Sequence, residues 1–336
     1  MKIIWCKKNY SKRVEMFPIN TKNSICFGTW GLGGENYISN TPLGWPEISD
    51  HESISLLRYA FDKNIRHFDT SDFYGRGKSE VLLRNAFGEK INQVYISTKG
   101  GIKIAPMQSS KSLQKDFSVT YIKNQVFKSL ENLNRDYIDL YMLHGPNLSD
   151  ISDDLLLLLE DLKRQGIIKS VGVSMRRSKF KASYEYLSEI PHIDVLQFQY
   201  NAMNHEDIDY IKNLKNKKNI NMARSLFAHG LLLKTKGNFL FGPSDHRSDK
   251  VRHDTEQAIL KYQEIIRSQL NMSPLTASLC LAIQNNKVDL PVIGFTKKEQ
   301  IDEVLNTIKN IKVMQENTFN DIISIAKKTF TTNKEP

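Results

Sequence analysis

Long apolar runs and paired cysteines are both missing from this chain of 336 residues. The longest leucine run, 155–159, is far short of the roughly 20 apolar residues that a membrane-spanning helix needs, so we expect no membrane partner. Near the start, a few apolar residues give way to lysines at once, which predicts no signal peptide. Cys6, Cys26 and Cys280 are widely spaced and predict free thiols in a reduced, cytoplasmic protein.

Several motifs of cofactor, metal and nucleophile sites are also absent. The glycine-rich stretch 28–34 fails the dinucleotide-binding pattern because Asn36 stands where its last glycine would be. The stretch 75–79 fails the phosphate-binding loop pattern because Asp72 stands at its first glycine. No histidine or cysteine spacing is typical of a metal site, and no GxSxG elbow predicts a serine nucleophile. The sequence therefore predicts no metal and no Rossmann-type nucleotide site.

The net charge of +10 raises the question of nucleic-acid binding. The densest basic stretch, 212–219, has no interleaved aromatic residues and is typical of the solvated face of a helix. Lysines elsewhere are spread along the chain rather than gathered in one segment. We therefore expect no nucleic-acid partner.

Short apolar runs alternate with longer amphipathic ones along the chain. Two amphipathic stretches, 50–64 and 152–166, are typical of helices, the first with Asp50 as its N-cap and the second with Gly166 as its stop. Eight strands separated by helices favour a (β/α)8 TIM barrel over a doubly wound sheet, which usually has fewer units and a phosphate fingerprint in its first turn. The predicted strands cover 24–28, 65–69, 93–98, 137–143, 169–173, 194–199, 220–225 and 290–294.

No linker or shift in composition divides the chain, so we expect a single barrel domain over 1–336. A short extension would cover about 1–20, and a C-terminal helix and tail about 311–336. Two connections, 100–117 and 229–253, are too long for simple turns, and loops of such length in a compact domain are usually functional or mobile. Both would lie on the barrel face that carries active sites.

Four polar residues stand at the C-terminal ends of consecutive predicted strands. Asp69 and Tyr74 follow the second strand, Lys99 ends the third, and His144 ends the fourth. Because such ends converge on one mouth of a barrel, we expect the four side chains to meet there. Each alone has an ordinary structural explanation, but their chemical types are complementary. A lysine held by Asp69 would lower the pKa of a phenol from about 10 and make Tyr74 a proton donor, while His144 could orient a carbonyl oxygen.

The motifs around these residues resemble those of the aldo-keto reductase superfamily. The stretches FDTSDFYG, ISTKG, DLYMLHGP, VGVS and LQFQYN occur in the family's order, and with the final VIGFTKKEQIDE they cover about residues 24–305. The resemblance implies a barrel enzyme that reduces an aldehyde or ketone with a hydride from NADP(H), with NAD(H) as the alternative cofactor. The similarity is to the branch that includes bacterial sugar and aldehyde reductases and potassium-channel beta subunits.

The resemblance also implies roles for individual residues. It makes Tyr74 the general acid, tuned by Lys99 and Asp69, with His144 orienting the carbonyl. Ser174 and Gln197 would hold the nicotinamide carboxamide. The other residues that would contact the cofactor are Gly28, Thr29, Trp30, Asp69, Arg224, Ser225, Leu226, Gly230, Ile293, Gly294, Thr296, Lys298, Gln300 and Glu303. Of these, Gly294, Thr296, Gln300 and Glu303 would surround the adenosine end.

Some positions depart from the family pattern. Met175 follows Ser174 where many members have Asn, and Val304 replaces an adenine-contacting Asn. Arg224 stands where an aromatic side chain normally stacks on the nicotinamide, and Leu226 replaces a proline. A guanidinium can also stack on a ring face. Its charge should favour the neutral reduced nicotinamide over the cationic oxidised form.

Basic residues bear on cofactor and substrate choice. Lys297 and Lys298 lie where a 2′-phosphate of NADP(H) would sit, and they could equally be exposed lysines that open the last barrel helix. Sugar-like carbonyl compounds fit the family branch, whereas the oligomeric state stays open. The alternative to an enzyme is a cofactor-binding regulatory module with little or no turnover. The segment 234–254 could attract an anionic substrate or form a solvated loop, and its basic residues are Lys234, Lys236, Arg247, Lys250, Arg252 and His253.

Overall fold

Eight parallel strands form a closed barrel in this computed structural model, which describes residues 25–38, 41–44, 48–103, 114–176, 180–205, 219–235, 249–311 and 317–330. The first strand closes the ring by pairing in parallel with both the second and the last. The predicted (β/α)8 TIM barrel is therefore confirmed. The barrel strands are β1 (Cys26–Gly28), β4 (His67–Asp69), β5 (Tyr95–Gly100), β6 (Ile138–His144), β7 (Ile168–Ser174), β8 (Val195–Gln199), β9 (Ile220–Arg224) and β10 (Leu290–Gly294), and a separate antiparallel hairpin comprises β2 (Glu35–Ile38) and β3 (Thr41–Gly44).

Helices connect the barrel strands and cover them from outside. No helix within the described ranges has the length and apolar character that crossing a membrane requires. The last helix packs against two earlier ones, and the rings of Tyr262 and Phe330 lie 5.2 Å apart at that contact. The helices are α1 (Asp50–Asp62), α2 (Lys78–Phe87), α3 (Val119–Leu133), α4 (Asp153–Arg164), α5 (Phe180–Ser188), α6 (Asp249–Leu270), α7 (Pro274–Ile283), α8 (Lys298–Ile311) and α9 (Asn317–Phe330).

Local polar residues explain where the first helix begins. The prediction that Asp50 caps helix α1 is wrong by one residue, because Ser49 is the N-cap. The Ser49 hydroxyl accepts a hydrogen bond from the Glu52 amide at 3.2 Å, and the Glu52 carboxylate accepts one from the Ser49 amide at 3.2 Å. This capping box satisfies two free amides and leaves Asp50 in the first turn, where its negative charge suits the helix dipole.

Other local predictions differ from the structure in their boundaries. The third barrel strand runs to Gly100 instead of ending at residue 98, so Lys99 lies within β5. The segment 234–254 is not one loop, because helix α6 begins at Asp249 and includes Arg252. The predicted extension over 1–20 and residues 212–218 of the basic stretch lie outside the described residues.

Apolar packing inside the barrel leaves its polar residues at one end. A cluster of buried side chains occupies the strands, while hydrophilic residues end β4, β6, β7 and β9. Parallel register places several of these strand ends level with one another. The fold therefore gathers polar groups at the mouth formed by the C-terminal ends of the strands, as barrels generally do. The interior cluster consists of Cys26, Leu140, Met142, Val195, Met222, Leu290 and Val292.

Candidate active site

The four strand-end residues singled out in the sequence lie together at this mouth. Lys99 Nζ donates to Asp69 Oδ2 at 2.7 Å, to the Thr70 carbonyl at 2.7 Å and to Tyr74 OH at 3.3 Å. The ring of His144 meets that of Tyr74 edge-on, with centroids 6.0 Å apart. Lys99 is fully buried, and Asp69 and Tyr74 are 4% and 8% exposed. An ammonium, a carboxylate, a phenol and an imidazole thus share one largely dry site.

Close backbone packing fixes the loop that carries Tyr74. Gly75 has a φ of +59°, and Gly77 has a φ of +92°, a region that favours glycine. A Cβ atom on Gly75 would lie only 2.1 Å from the Gly33 carbonyl oxygen. On its other side Tyr74 packs against Trp30, with ring centroids 5.0 Å apart. These contacts hold the phenol above Lys99.

Hydrogen bonds link Asp69 to the far side of the barrel mouth. Its Oδ1 atom accepts from Ser97 Oγ at 2.8 Å and from Gln197 Nε2 at 3.0 Å. The side-chain Oε1 atom of Gln197 in turn accepts from Ser174 Oγ at 2.8 Å. Both carboxylate oxygens of Asp69 are therefore satisfied, which a buried carboxylate requires. The chain of contacts runs from Ser174 to Lys99.

Burial dominates the protonation of the site. It raises the pKa of the Tyr74 phenol above its ordinary value, and the Lys99 charge opposes this shift only in part. The expectation that Lys99 gives Tyr74 a lowered pKa is therefore wrong in net direction. Desolvation would lower the pKa of Lys99, but the charges of Asp69 and Tyr74 outweigh it, so the lysine pKa is raised. Desolvation and the nearby charges of Lys99 and Arg224 push the pKa of His144 well below its ordinary value. At neutral pH the site therefore combines a protonated phenol, a charged lysine and a neutral imidazole.

A serine that the sequence reasoning missed contacts His144. Ser71 Oγ lies 3.1 Å from His144 Nδ1 and 3.2 Å from Asp72 Oδ1, and it accepts the Phe73 amide at 3.2 Å. A neutral imidazole carries its proton on one nitrogen only. When Nδ1 accepts the Ser71 hydroxyl, Nε2 carries the proton and can donate it. Ser71 lies inside the quoted motif, but its reach to another strand is visible only in three dimensions.

The residues assigned to the nicotinamide end form a suitable set for a carboxamide. Ser174 Oγ can still accept a hydrogen bond, and Gln197 has a second amide N–H besides the one given to Asp69. A carboxamide needs an acceptor for its N–H group, which Ser174 Oγ could provide, and a donor for its oxygen, which Gln197 could provide. At the seam between the first and last barrel strands, Gly28 and Gly294 are register partners, so no side chain blocks that rim. The donors and the open rim fit an extended dinucleotide.

Residues assigned to the adenosine end lie together at the start of helix α8. Gln300 Oε1 accepts from the Thr296 amide at 2.8 Å and from the Lys297 amide at 3.1 Å. Lys298 Nζ lies 5.4 Å from the centroid of the Tyr59 ring, so this lysine also has a structural contact. Glu303 is exposed one turn further along the same helix.

Several other assigned positions are buried in the protein itself. Thr29 donates through Oγ1 to the Asp69 carbonyl at 3.0 Å, which makes its hydroxyl part of the packing. Arg224 is half-buried and donates to the Met175 carbonyl at 3.1 Å, and Ser225 and Gly230 both have positive φ in the turn that follows. Within the described residues no group of metal-binding side chains could hold an ion. Five side chains at assigned positions or at departures from the family pattern are each 3% exposed or less: Thr29, Met175, Leu226, Ile293 and Val304.

Comparison with known proteins identifies the family to which this barrel belongs. The aldo/keto reductase family profile matches residues 24–327. An uncharacterized oxidoreductase, YqkF of Bacillus subtilis (strain 168), is 27% identical over 85% of this chain and 94% of its own length. D-threo-aldose 1-dehydrogenase of Pseudomonas sp. is 30% identical over 38% of this chain and 44% of its own length. The glycerol dehydrogenase AKR11B4 of Gluconobacter oxydans shares the fold, with a TM-score of 0.72, 20% identity, and coverage of 93% of this chain and 94% of that one. The chain belongs to the aldo/keto reductase family and is an NAD(P)H-dependent oxidoreductase of carbonyl compounds.

Proposed function

We propose that this enzyme reduces a sugar-like aldehyde or ketone to the alcohol with NADPH, and that Tyr74 donates the proton. One observation carries the proposal. The buried Lys99 ammonium contacts Tyr74 OH at 3.3 Å and is itself held by Asp69 Oδ2 at 2.7 Å. A permanent cation beside a neutral phenol stabilises the anion that forms when the phenol gives up its proton.

The four residues divide the work of reduction between them. When bound, the reduced nicotinamide supplies the hydride to the carbonyl carbon. Tyr74 passes its proton to the carbonyl oxygen as negative charge develops there, and the remaining phenolate is held by Lys99. His144, kept neutral by its surroundings, donates a hydrogen bond that orients the carbonyl. Asp69 positions the ammonium and balances its charge.

Burial strengthens this arrangement. Because Lys99 is fully buried, its field acts through a medium of low polarity and needs no reorientation of water during the reaction. The raised pKa of Tyr74 keeps the proton on the phenol until negative charge develops on the substrate oxygen and that oxygen accepts the proton. Trp30, packed on the Tyr74 ring, and the buried Phe73 and Ile102 form an apolar wall beside the reacting group.

Cofactor preference for NADPH rests on the start of helix α8. Lys297 is exposed there and can approach a 2′-phosphate, and the helix N-terminus favours an anion. Lys298 supports this less, since its ammonium lies over Tyr59. The sugar-like substrate is supported by the resemblance to the aldose dehydrogenase named above.

The test measures carbonyl-dependent oxidation of NADPH with D-glyceraldehyde and D-xylose. Tyr74→Phe should lower kcat by about 10²–10⁴-fold, the usual contribution of general acid catalysis, while NADPH still quenches Trp30 fluorescence. Tyr137→Phe is the matched control and should retain activity, because Tyr137 is a half-buried tyrosine just before strand β6 whose ring packs against Arg135. Equal turnover of Tyr74→Phe and wild type would refute Tyr74 as the acid.

A parallel fluorescence titration with NADH tests the cofactor choice. Tighter binding of NADH than of NADPH would overturn the assignment of the phosphate to Lys297. If the wild-type protein binds NADPH but does not oxidise it in the presence of any carbonyl compound, it would instead be a cofactor-binding regulatory module.

A further inference from the structure

Basic side chains from three different segments lie beside His144, and we call Lys115, Arg176 and Arg224 the cationic rim. Lys115 donates through Nζ to the carbonyl oxygen of Gly145, the residue that follows His144. Arg176 packs on the same side of Gly145 as Lys115, because a Cβ atom there would meet both the Arg176 Cγ atom at 3.4 Å and Lys115 Nζ at 2.9 Å. The charges of Arg224 and Lys115 both act on the imidazole of His144.

No carboxylate in the described part of the chain forms a direct ion pair with the rim, although the charge of Asp150 acts on Lys115 and that of Asp69 on Arg224. In the described ranges, no salt bridge involves Lys115, Arg176 or Arg224. The acids nearby have other partners. Asp116 pairs with Lys103 at 3.1 Å, and Asp150 accepts the Asn147 amide at 2.7 Å.

Two stretches of sequence that adjoin rim residues also lack acids. The sequences 104–113 and 177–179, which flank Lys115 and Arg176, contain no Asp or Glu and add three basic residues. Within the site, the charge of Asp69 is already matched by Lys99. Burial raises the pKa of the Asp72 carboxyl well above its ordinary value, which disfavours its charged form.

Half-buried cations without a counterion are costly, since each has lost part of its hydration without gaining a partner. Lys115 and Arg224 are both half-buried. The local excess of positive charge lies beside the imidazole that would bind the substrate carbonyl. An anion brought in by the substrate would supply the missing charge.

We propose that the physiological substrate of the carbonyl reduction proposed above carries an oxyanion, a carboxylate or a phosphate, which binds Lys115 between Arg176 and Arg224. This inference rests on the proposed function and narrows its substrate class. Because Lys115 contacts the residue next to His144, the oxyanion lies only a few bonds from the carbonyl group. The site therefore selects short acidic aldehydes or phosphorylated short sugars.

The test compares matched pairs of substrates that differ in an anionic group. One pair is succinic semialdehyde and butanal, and the other is D-glyceraldehyde 3-phosphate and D-glyceraldehyde. In at least one pair, the anionic member should have a kcat/KM about tenfold higher or more, the usual range of a charge-assisted hydrogen bond. The pair with the larger anionic-to-neutral ratio of kcat/KM shows whether the rim binds a carboxylate or a phosphate.

Two variants of Lys115 separate its charge from its packing. Lys115→Met should lower the anionic-to-neutral ratio of kcat/KM by about tenfold or more, whereas Lys115→Arg should keep most of the ratio. Lys103→Met is the matched control, because Lys103 is an exposed lysine of the same loop that already pairs with Asp116. It should leave the ratio unchanged.

The pH dependence gives a second readout. Burial, reinforced by the Arg176 charge and opposed by Asp150, lowers the pKa of Lys115 to about 8. Lys115 is therefore charged below pH 8 and neutral above it, and KM for the anionic substrate should rise as the pH passes through this value. His144 does not contribute, since its pKa lies well below this range. In Lys115→Arg the rise should disappear, because arginine stays charged.

The outcomes separate this inference from the proposed function. Equal kcat/KM within both pairs, with a ratio that Lys115→Met does not change, would overturn the anionic substrate and leave carbonyl reduction by Tyr74 intact. Reduction of none of the four compounds would overturn both proposals.

Discussion

The buried ion pair between Lys99 and Asp69 allows a quantitative test of the site. Lys99→Met removes the ammonium but keeps most of the side-chain volume. Asp69 would retain its hydrogen bonds from Ser97 and Gln197, at 2.8 and 3.0 Å, yet lose its countercharge. The two side chains of the pair are 1% and 5% exposed, so water cannot replace the lysine. Loss of one partner from a buried pair costs about 3–5 kcal/mol, and we expect the free energy of unfolding to fall by that amount.

Equilibrium unfolding in urea measures this change, and the same preparation gives the loss of kcat, for which we expect about 10²–10⁴-fold. Lys128→Met is the control, since it breaks a pair with Glu131 whose side chains are 55% and 72% exposed. Such an exposed pair contributes less than about 1 kcal/mol. The double variant Lys99→Met/Asp69→Asn should be less destabilised than Lys99→Met, because no unpaired charge remains. A Lys99→Met protein as stable as Lys128→Met would refute the reasoning.

Three further substitutions test the surroundings of the site. Ser71→Ala removes the hydroxyl beside His144 and should lower kcat about fivefold, the equivalent of one hydrogen bond, with NADPH affinity unchanged in a fluorescence titration; an unchanged kcat would contradict the contact. Gly75→Ala places a methyl group 2.1 Å from a carbonyl oxygen at a positive φ, so its melting temperature should fall in calorimetry, and equal thermal stability would argue against this packing. Arg135→Met leaves Asp139 buried without its 2.7 Å partner and should cost about 3–5 kcal/mol in urea unfolding, a loss that a surface pair would not produce.

The barrel was predictable because each strand is a short apolar run with a recognisable end. All eight predicted strands overlap observed ones, and the strand at 290–294 agrees at both ends. The starting point of helix α1 was also encoded locally, since Ser49 and Glu52 have the spacing of a capping box. The sequence analysis names the adjacent Asp50 as the N-cap, which is wrong by one position. Strand boundaries depend on pairing partners, so Gly100 could not be assigned from its own neighbourhood.

The position of the site followed from the topology, but its protonation did not. The C-terminal ends of the strands converge in any such barrel, so the sequence alone predicts that Asp69, Lys99 and His144 lie close together. The net pKa shift of Tyr74 depends on how much water the packed loop excludes, a quantity that no spacing in the sequence contains. The contact between Ser71 and His144, and the lack of an ion pair to Lys115 among the described residues, likewise depend on three-dimensional distances between separate strands.

The Asp69 carboxylate connects two sides of the barrel mouth. Its two oxygens join the amide of Gln197, on one side of the mouth, to the ammonium of Lys99 on the other. Occupancy of the proposed carboxamide site and the acidity of the Tyr74 phenol should therefore both depend on the charge of Asp69. A substitution of Gln197 that weakens cofactor binding should therefore also alter the pH profile of the enzyme, because both properties depend on the Asp69 carboxylate.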